Sequence, residues 1–355
     1  MRDVVEQLDR WRAAGNARTA IATVVGVKRS APRPPGAKMA LAQDGSVAGA
    51  VSGGCVEGAV VVAAEEVLEG GEPRMLHFGI SDDEAWDVGL PCGGEIDVWI
   101  DRPDGPEGEA FAALARADGR GALVTRLDGG GRMLVDAEGI RTGSLGTAAL
   151  DDGAAEHARE LMWAERSERR TVEDVEVFVD ATAPSPRVII FGAVDHSAAL
   201  CTLARAARWR PFVVDPRERF ATPERFPDAE RVVAKWPAEA FADLGGIDRA
   251  TSIVVLTHDP KLDDAALQIA LASDAGYIGA MGSRLAQAGR RERLLARGLT
   301  DDDLARISAP IGLDLGGLTS EETALSIMAE LVAVRRGHPG GRLRDAEGRI
   351  HEVGA

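Results

Sequence analysis

The chain has 355 residues, enough for about two domains, and its three cysteines are too few and too odd in number for a secreted disulfide framework. Its formal charge of -16 opposes binding to a nucleic-acid backbone, which relies on lysine and arginine clusters. Residues 1–8 read as a mixed-charge amphipathic helix without the apolar centre of a signal peptide, and no stretch reaches the ~18 apolar residues of a membrane span. The expectation is a cytoplasmic protein with no nucleic-acid partner and no membrane span.

Strand-like runs at 21–27, 38–42, 47–51 and 96–100, with one helix near 55–69, predict an α+β unit whose loops are rich in glycine and proline. The first long loop, 30–36, leads into Ala37-Lys38-Met39. Its prolines restrict the backbone, so Arg33 and Lys38 are either preorganised for an anion such as a phosphate or part of a solvated turn. Two glycine-flanked cysteines follow, in Ser52-Gly53-Gly54-Cys55 and Leu90-Pro91-Cys92-Gly93-Gly94. Residues without a Cβ allow a thiol and its backbone to approach a bulky ligand. Cys55 precedes the apolar run 56–68, which predicts a helix N-terminus whose dipole favours a thiolate. Cys55 and Cys92 are thus candidate nucleophiles or soft-metal ligands; the plainer reading makes them small buried residues in tight turns. With no C-x-x-C, and histidines at 77, 157, 338 and 351 out of metal spacing, a structural zinc site is not expected.

The stretch 102–108 has low complexity; a helix and strand-like pieces at 122–127 and 132–135 come next, with Gly129-Gly130-Gly131 as a hairpin tip. No internal repeat is evident. Linker composition at 181–186 sets a boundary near 185, giving domains 1–183 (with 102–180 the less regular part) and 187–340, then a charged tail 341–355. Beyond the boundary, apolar strands at 188–191, 212–215, 231–234, 252–256 and 277–280 alternate with helices near 196–208 and 262–274. That alternation predicts a Rossmann-like, doubly wound parallel sheet covered on both faces. A last helix, 320–336, carries a wide apolar stripe suited to the sheet or to a second subunit. Cys201 lies in an apolar helix and is expected in the core.

After the first strand of this sheet, Gly192-Ala193-Val194-Asp195 stands where a dinucleotide fold carries G-x-G-x-x-G. Only the first glycine is present, and Val194 crowds the place of a pyrophosphate, so NAD(P) is not expected in the usual pose. Asp215 ends the second strand, where an acid holds a ribose, with Arg217 beside it. His258, in Thr257-His258-Asp259, is a proton donor, a phosphate hydrogen-bond donor or a neighbour of a helix cap formed by Asp259. Gly282-Ser283-Arg284 forms either an anion nest or an ordinary strand-to-helix turn.

Pro34-Pro35-Gly36-Ala37-Lys38-Met39, Ser52-Gly53-Gly54-Cys55-Val56-Glu57, Leu90-Pro91-Cys92-Gly93-Gly94, Leu256-Thr257-His258-Asp259-Pro260 and Gly279-Ala280-Met281-Gly282-Ser283-Arg284 together resemble the XdhC/CoxI family, maturation factors for xanthine and CO dehydrogenases. The resemblance covers most of 15–101 and 187–336. It implies an N-terminal XdhC/CoxI domain and a C-terminal Rossmann domain in a homodimeric chaperone, not a turnover enzyme. Such a chaperone binds the molybdenum cofactor, as molybdopterin or its cytosine dinucleotide form. It shields the cofactor while a cysteine desulfurase supplies the sulfido ligand, and delivers it to the large subunit of the apo-dehydrogenase. Residues at 192–195 depart from the family's Gly-Ala-Gly-His turn. Alternatives are an NAD(P)-dependent oxidoreductase and an assembly factor without cofactor.

Overall fold

The computed structural model describes residues 1–16, 18–28, 33–79 and 94–345, which form two units, Met1–Pro184 and Ser185–Asp345. The second glycine-flanked cysteine, Cys92, with Gly93, lies outside the described residues, as does 346–355 of the charged tail.

The first unit opens with α1 (Val5–Ala13), β1 (Thr19–Lys28), β2 (Lys38–Ala42), β3 (Val47–Gly49), α2 (Glu57–Leu68), β4 (Arg74–Phe78) and β5 (Glu95–Asp101). The strands form an antiparallel sheet in the order β3-β2-β1-β5-β4. β1 is buried on both sides: Ala20, Ala22 and Val24 meet α2, while Ile21 and Val25 face away from it. The helix forms where apolar residues recur at helical spacing, and Val60, Ala64, Val67 and Leu68 close over Met39, Ile96 and Val98. Each such fully buried aliphatic side chain contributes about 1.5–3 kcal/mol.

The same order then recurs. α3 (Pro106–Arg116), β6 (Gly121–Arg126), β7 (Arg132–Asp136), β8 (Arg141–Ser144), α4 (Ala148–Ala164), β9 (Glu168–Val172) and β10 (Val175–Thr182) make a second antiparallel sheet, β8-β7-β6-β10-β9. The register agrees as well. Thr23 pairs with Lys38 as Thr125 pairs with Arg132, and Ile21 with Asp101 as Leu123 with Asp180. From β2 to the end of the helix the two copies run without a gap, so Lys38 corresponds to Arg132, Gly45 to Gly139, Gly49 to Gly143, Val56 to Leu150 and Glu57 to Asp151. Gly45 and Gly139 close the same turn, at φ +82° and +83°. The first unit is therefore an internal duplication, which corrects the expectation of no repeat. Along this stretch only Met39, Gly45, Gly49, Ala64 and Glu66 recur as identical residues, while the core keeps its pattern with new side chains.

In the second unit, β11 (Arg187–Phe191), α5 (Asp195–Ala206), β12 (Arg210–Val214), β13 (Arg231–Val233), α6 (Pro237–Leu244), β14 (Thr251–Val255), α7 (Pro260–Leu271), β15 (Tyr277–Ala280), α8 (Arg284–Ala296), α9 (Asp301–Ala305), β16 (Ile307–Ser308) and α10 (Ser320–Arg335) build an all-parallel sheet, β13-β12-β11-β14-β15-β16. Ile189 and Phe191 pack with α6 and α7; Val188 and Ile190 pack with α5 and α10. This is the doubly wound Rossmann-like arrangement. α10 lays Ala324, Ile327 and Leu331 on the sheet, and Cys201 is fully buried. Among the described residues no helix is long and apolar enough to cross a membrane.

Candidate functional site

Three connections leave one end of the first sheet. Lys28 at the end of β1 pairs with Glu95 at the start of β5, Phe78 at the end of β4 pairs with Ile96, and Gly49 at the end of β3 pairs with Met39. The described ends of segments 29–37, 50–56 and 79–94 therefore lie at the same end of the sheet. In the second copy the counterparts are 127–131, 145–147 and the two-residue turn Glu173-Asp174.

The stretch from Gly49 to Glu57 has the same length as its counterpart from Gly143 to Asp151 and a different fold. In the second copy the helix begins at Ala148, with the Thr147 hydroxyl accepting from the Leu150 amide. In the first, Gly53 and Gly54 take φ of +89° and +123°, a region that favours glycine, and the helix starts later, at Glu57. The loop wraps the Glu57 carboxylate, which accepts from the amides of Val51, Ser52, Gly53, Gly54 and Val56 and from the Ser52 hydroxyl at 2.6 Å. Burial opposes its ionisation, but the bonds from Ser52 and Gly53 outweigh it and hold the carboxyl at about 2. Asp151 keeps part of this role, accepting from the Leu145 amide and the Ser144 hydroxyl. Cys55 is exposed and its amide donates to Ser52 Oγ. The amides of the turn thus serve Glu57, and the helix begins two residues after Cys55. A Cβ at Gly53 or Gly54 meets nothing within 4 Å, so these glycines are required by conformation and not by close packing.

The cations of the neighbouring connection have carboxylate partners. Arg33 pairs with Asp3 at 2.8 Å, and Lys38, buried on β2, pairs with Asp180 at 2.7 Å while donating to Thr23 Oγ1. Gly94 is buried immediately before β5.

In the second unit the sequence-marked residues gather at the C-terminal ends of the strands, where the order reverses between β11 and β14, the place where open parallel sheets bind ligands. Gly192, at φ +122°, has no room for a side chain: a Cβ there would lie 2.6 Å from Thr257 Cγ2. Asp215 is fully buried and accepts from the Ala193 amide at 2.9 Å and from the Arg217 guanidinium at 2.8 and 2.6 Å. Burial works against its charge, yet Arg217 and the two amides hold its carboxyl below the ordinary range. The acid is thus turned under the glycine turn and bound there. Asp195 puts an exposed carboxylate on the first residue of α5, 3.7 Å from Arg225. Asp259 caps α7 through the Lys261 amide, and His258 beside it is exposed. Ser283 caps α8 through the Ala286 amide, next to Gly282 at φ +138° and an exposed Arg284.

Two arrangements escape sequence reading. Asp263, whose carboxyl burial pushes up despite its bonds to Thr257 and Arg290, ties the Thr257 turn through Arg290 to the Met281 carbonyl, 3.0 Å away. The Arg217 and Arg225 guanidinium groups both lie against Phe220, 4.8 and 5.6 Å from its ring centre. The acid pair Asp263-Asp264 near the start of an apolar helix is the one available signal for the first. Among the described residues no group of three or more His, Cys, Asp or Glu is arranged to hold a metal ion.

The XdhC and CoxI family model matches residues 11–79, and the XdhC Rossmann domain model matches 188–331. The interval between them contains β5 and the whole second copy. The chain is 27% identical over 316 residues to the molybdenum cofactor insertion chaperone PaoD of Escherichia coli (strain K12), covering 89% of this chain and 83% of that protein. It is 25% identical over 321 residues to a probable xanthine dehydrogenase subunit of Bacillus subtilis (strain 168), covering 89% and 93%. A crystal structure of a xanthine dehydrogenase from Bacillus halodurans superposes with a TM-score of 0.72 at 25% identity, over 97% of this chain and 98% of that one.

Proposed function

The chain belongs to the XdhC and CoxI family, and on that premise we propose that it is an accessory factor, not a turnover enzyme, that binds the molybdenum cofactor and passes it to a xanthine dehydrogenase or CO dehydrogenase. The chaperone named among its relatives supports the cargo, and the dehydrogenase relative supports the client. The structural observation that carries the reading is the first copy's loop end, where a helical turn is given up to expose Cys55. A thiol is a soft ligand suited to a sulfur-bound metal, and the nearby fixed carboxylate keeps its loop open. Here Cys55, with Cys92 on the neighbouring connection, meets the metal or its sulfur. Binding in the cytoplasm by a homodimer shields the cofactor while a cysteine desulfurase sulfurates it.

An NAD(P)-dependent oxidoreductase would draw support from the sheet topology alone. The exposed Asp195 at the pyrophosphate position and the internally bound Asp215 speak against it.

The test is anaerobic incubation with molybdenum cofactor, desalting, and measurement of retained molybdenum and of pterin after oxidation. Wild type and Cys201→Ser should retain both, and Cys55→Ser should lose most of each. Equal retention by Cys55→Ser removes the thiol from the site. If loaded protein fails to activate apo-dehydrogenase faster than free sulfurated cofactor, the insertion role fails. Hydride transfer with micromolar NAD(P) binding would favour the oxidoreductase instead.

A further inference from the structure

The two copies of the first unit meet through crossed ion pairs, one buried and one part-buried. Lys38 of the first copy reaches Asp180 of the second at 2.7 Å, and its counterpart Arg132 of the second reaches Asp101 of the first at 2.8 Å. Each contact is the other with the copies exchanged, the reciprocal pattern of an isologous interface. Between them is a cavity of about 30 Å³ lined by equivalent pairs, Thr23 with Thr125 and Trp99 with Phe178.

What the copies do for each other's loops is not reciprocal. The second copy holds both long connections of the first by their stems. Gly36 sits so close to it that a Cβ would lie 2.8 Å from Ser167 Oγ, which donates to Asp180, and Lys38 follows two residues later. Arg169 of β9 donates to Asp97 at 2.9 Å, and Asp97 lies 2.7 Å from His77 Nδ1. His77 and Asp97 flank the ends of the segment that carries Cys92. The counterparts of His77 and Asp97 in the second copy are Thr171 and Glu176, beside a two-residue turn that needs no stem.

We propose that the second copy is a positioning device: Asp180 and Arg169 fix Lys38 and Asp97, the described stems of the first copy's connections, and so prearrange the cargo site assigned to Cys55 at that end. The last clause rests on the function proposed above. Positioning itself does not, because it is visible in the backbone.

The duplication supplies its own control. Asp180→Asn and Asp101→Asn break pairs at equivalent positions, the first buried and at the stem of a long connection, the second part-buried and beside a short one. Hydrogen exchange of the full chain should show amides at 33–38 opening at least about tenfold faster in Asp180→Asn and those at 127–131 unchanged, with the reverse in Asp101→Asn. Arg169→Gln, at a more exposed position that tolerates change, should speed exchange at 94–97 and spare 127–131. Retention of molybdopterin-form cofactor should fall about tenfold in Asp180→Asn and stay within about twofold in Asp101→Asn at similar thermal midpoints. Uniform acceleration across the unit in all three variants overturns the proposal, and the second copy is then support for the fold only. If wild type retains no cofactor, the cargo assignment falls, while exchange still decides whether the stems are positioned.

Discussion

The two halves of the first unit share strand order, register and helix placement, yet one is plain and the other elaborated. The second copy caps its helix with Thr147 and joins β9 to β10 by two residues. The first breaks the same helical turn around Glu57 and lengthens both flanking connections. Because the plain copy meets every requirement of this fold, the features confined to the other, namely Gly53, Gly54, exposed Cys55 and the long connections, answer to something besides folding. A protein rarely contains such a control for its own motifs.

The largest expected effect tests whether the plain copy is truly built as a core. Leu161 is fully buried on α4, so Leu161→Ala should cost about 2–5 kcal/mol in chemical denaturation. A cost under about 1 kcal/mol would remove the second copy from the scaffold. Next, Gly49→Ala and Gly143→Ala should each cost about 1–3 kcal/mol or more, since a Cβ would meet the Lys38 carbonyl oxygen at 2.2 Å and that of Arg132 at 2.5 Å, at positive φ in both. Unequal losses would break the equivalence. Gly53→Ala, facing open space, should lose only ~1–2 kcal/mol to backbone conformation. Removing the cap by Thr147→Ala should cost about 1 kcal/mol and leave cofactor retention unchanged.

A smaller effect at neutral pH separates the two turns by acid. Glu57 ionises at about 2 in the fold against an ordinary 4.5. The unfolded chain therefore binds more protons between those values, and stability rises with pH across that window. The turn's contribution should be complete above about pH 4.5 and disappear as pH falls through 2; Glu57→Gln should flatten this part of the profile of thermal midpoint against pH. The smallest change is Arg33→Ala, which breaks a part-exposed pair with Asp3 and should stay within about 0.5 kcal/mol by the same measurement.

The elements that sequence reading finds are those whose periodicity comes from their own burial. The run 56–68 and the apolar strands of the Rossmann-like unit bury one stripe or two full faces, so their patterns survive any neighbour. α4 and β9 escape it because alanine supplies much of the helix's buried face, and Glu168-Arg169-Arg170-Thr171-Val172 is a charged strand whose Arg169 pairs with Asp97 on β5 and Glu176 on β10. The repeat stays hidden because a core needs matching volume and not matching identity, and Val56 and Leu150 fill it equally well.

By itself the sequence determined the alternation of elements, the parallel sheet, the burial of Cys201 and the candidate turns, since each depends on local spacing and residue type. Only the tertiary structure decided which partners those residues take. Lys38, read as a candidate ligand for an anion, has its charge met inside the fold by Asp180, 142 positions away in sequence. Charge pairing is set by where strands cross, and local sequence carries no record of that crossing.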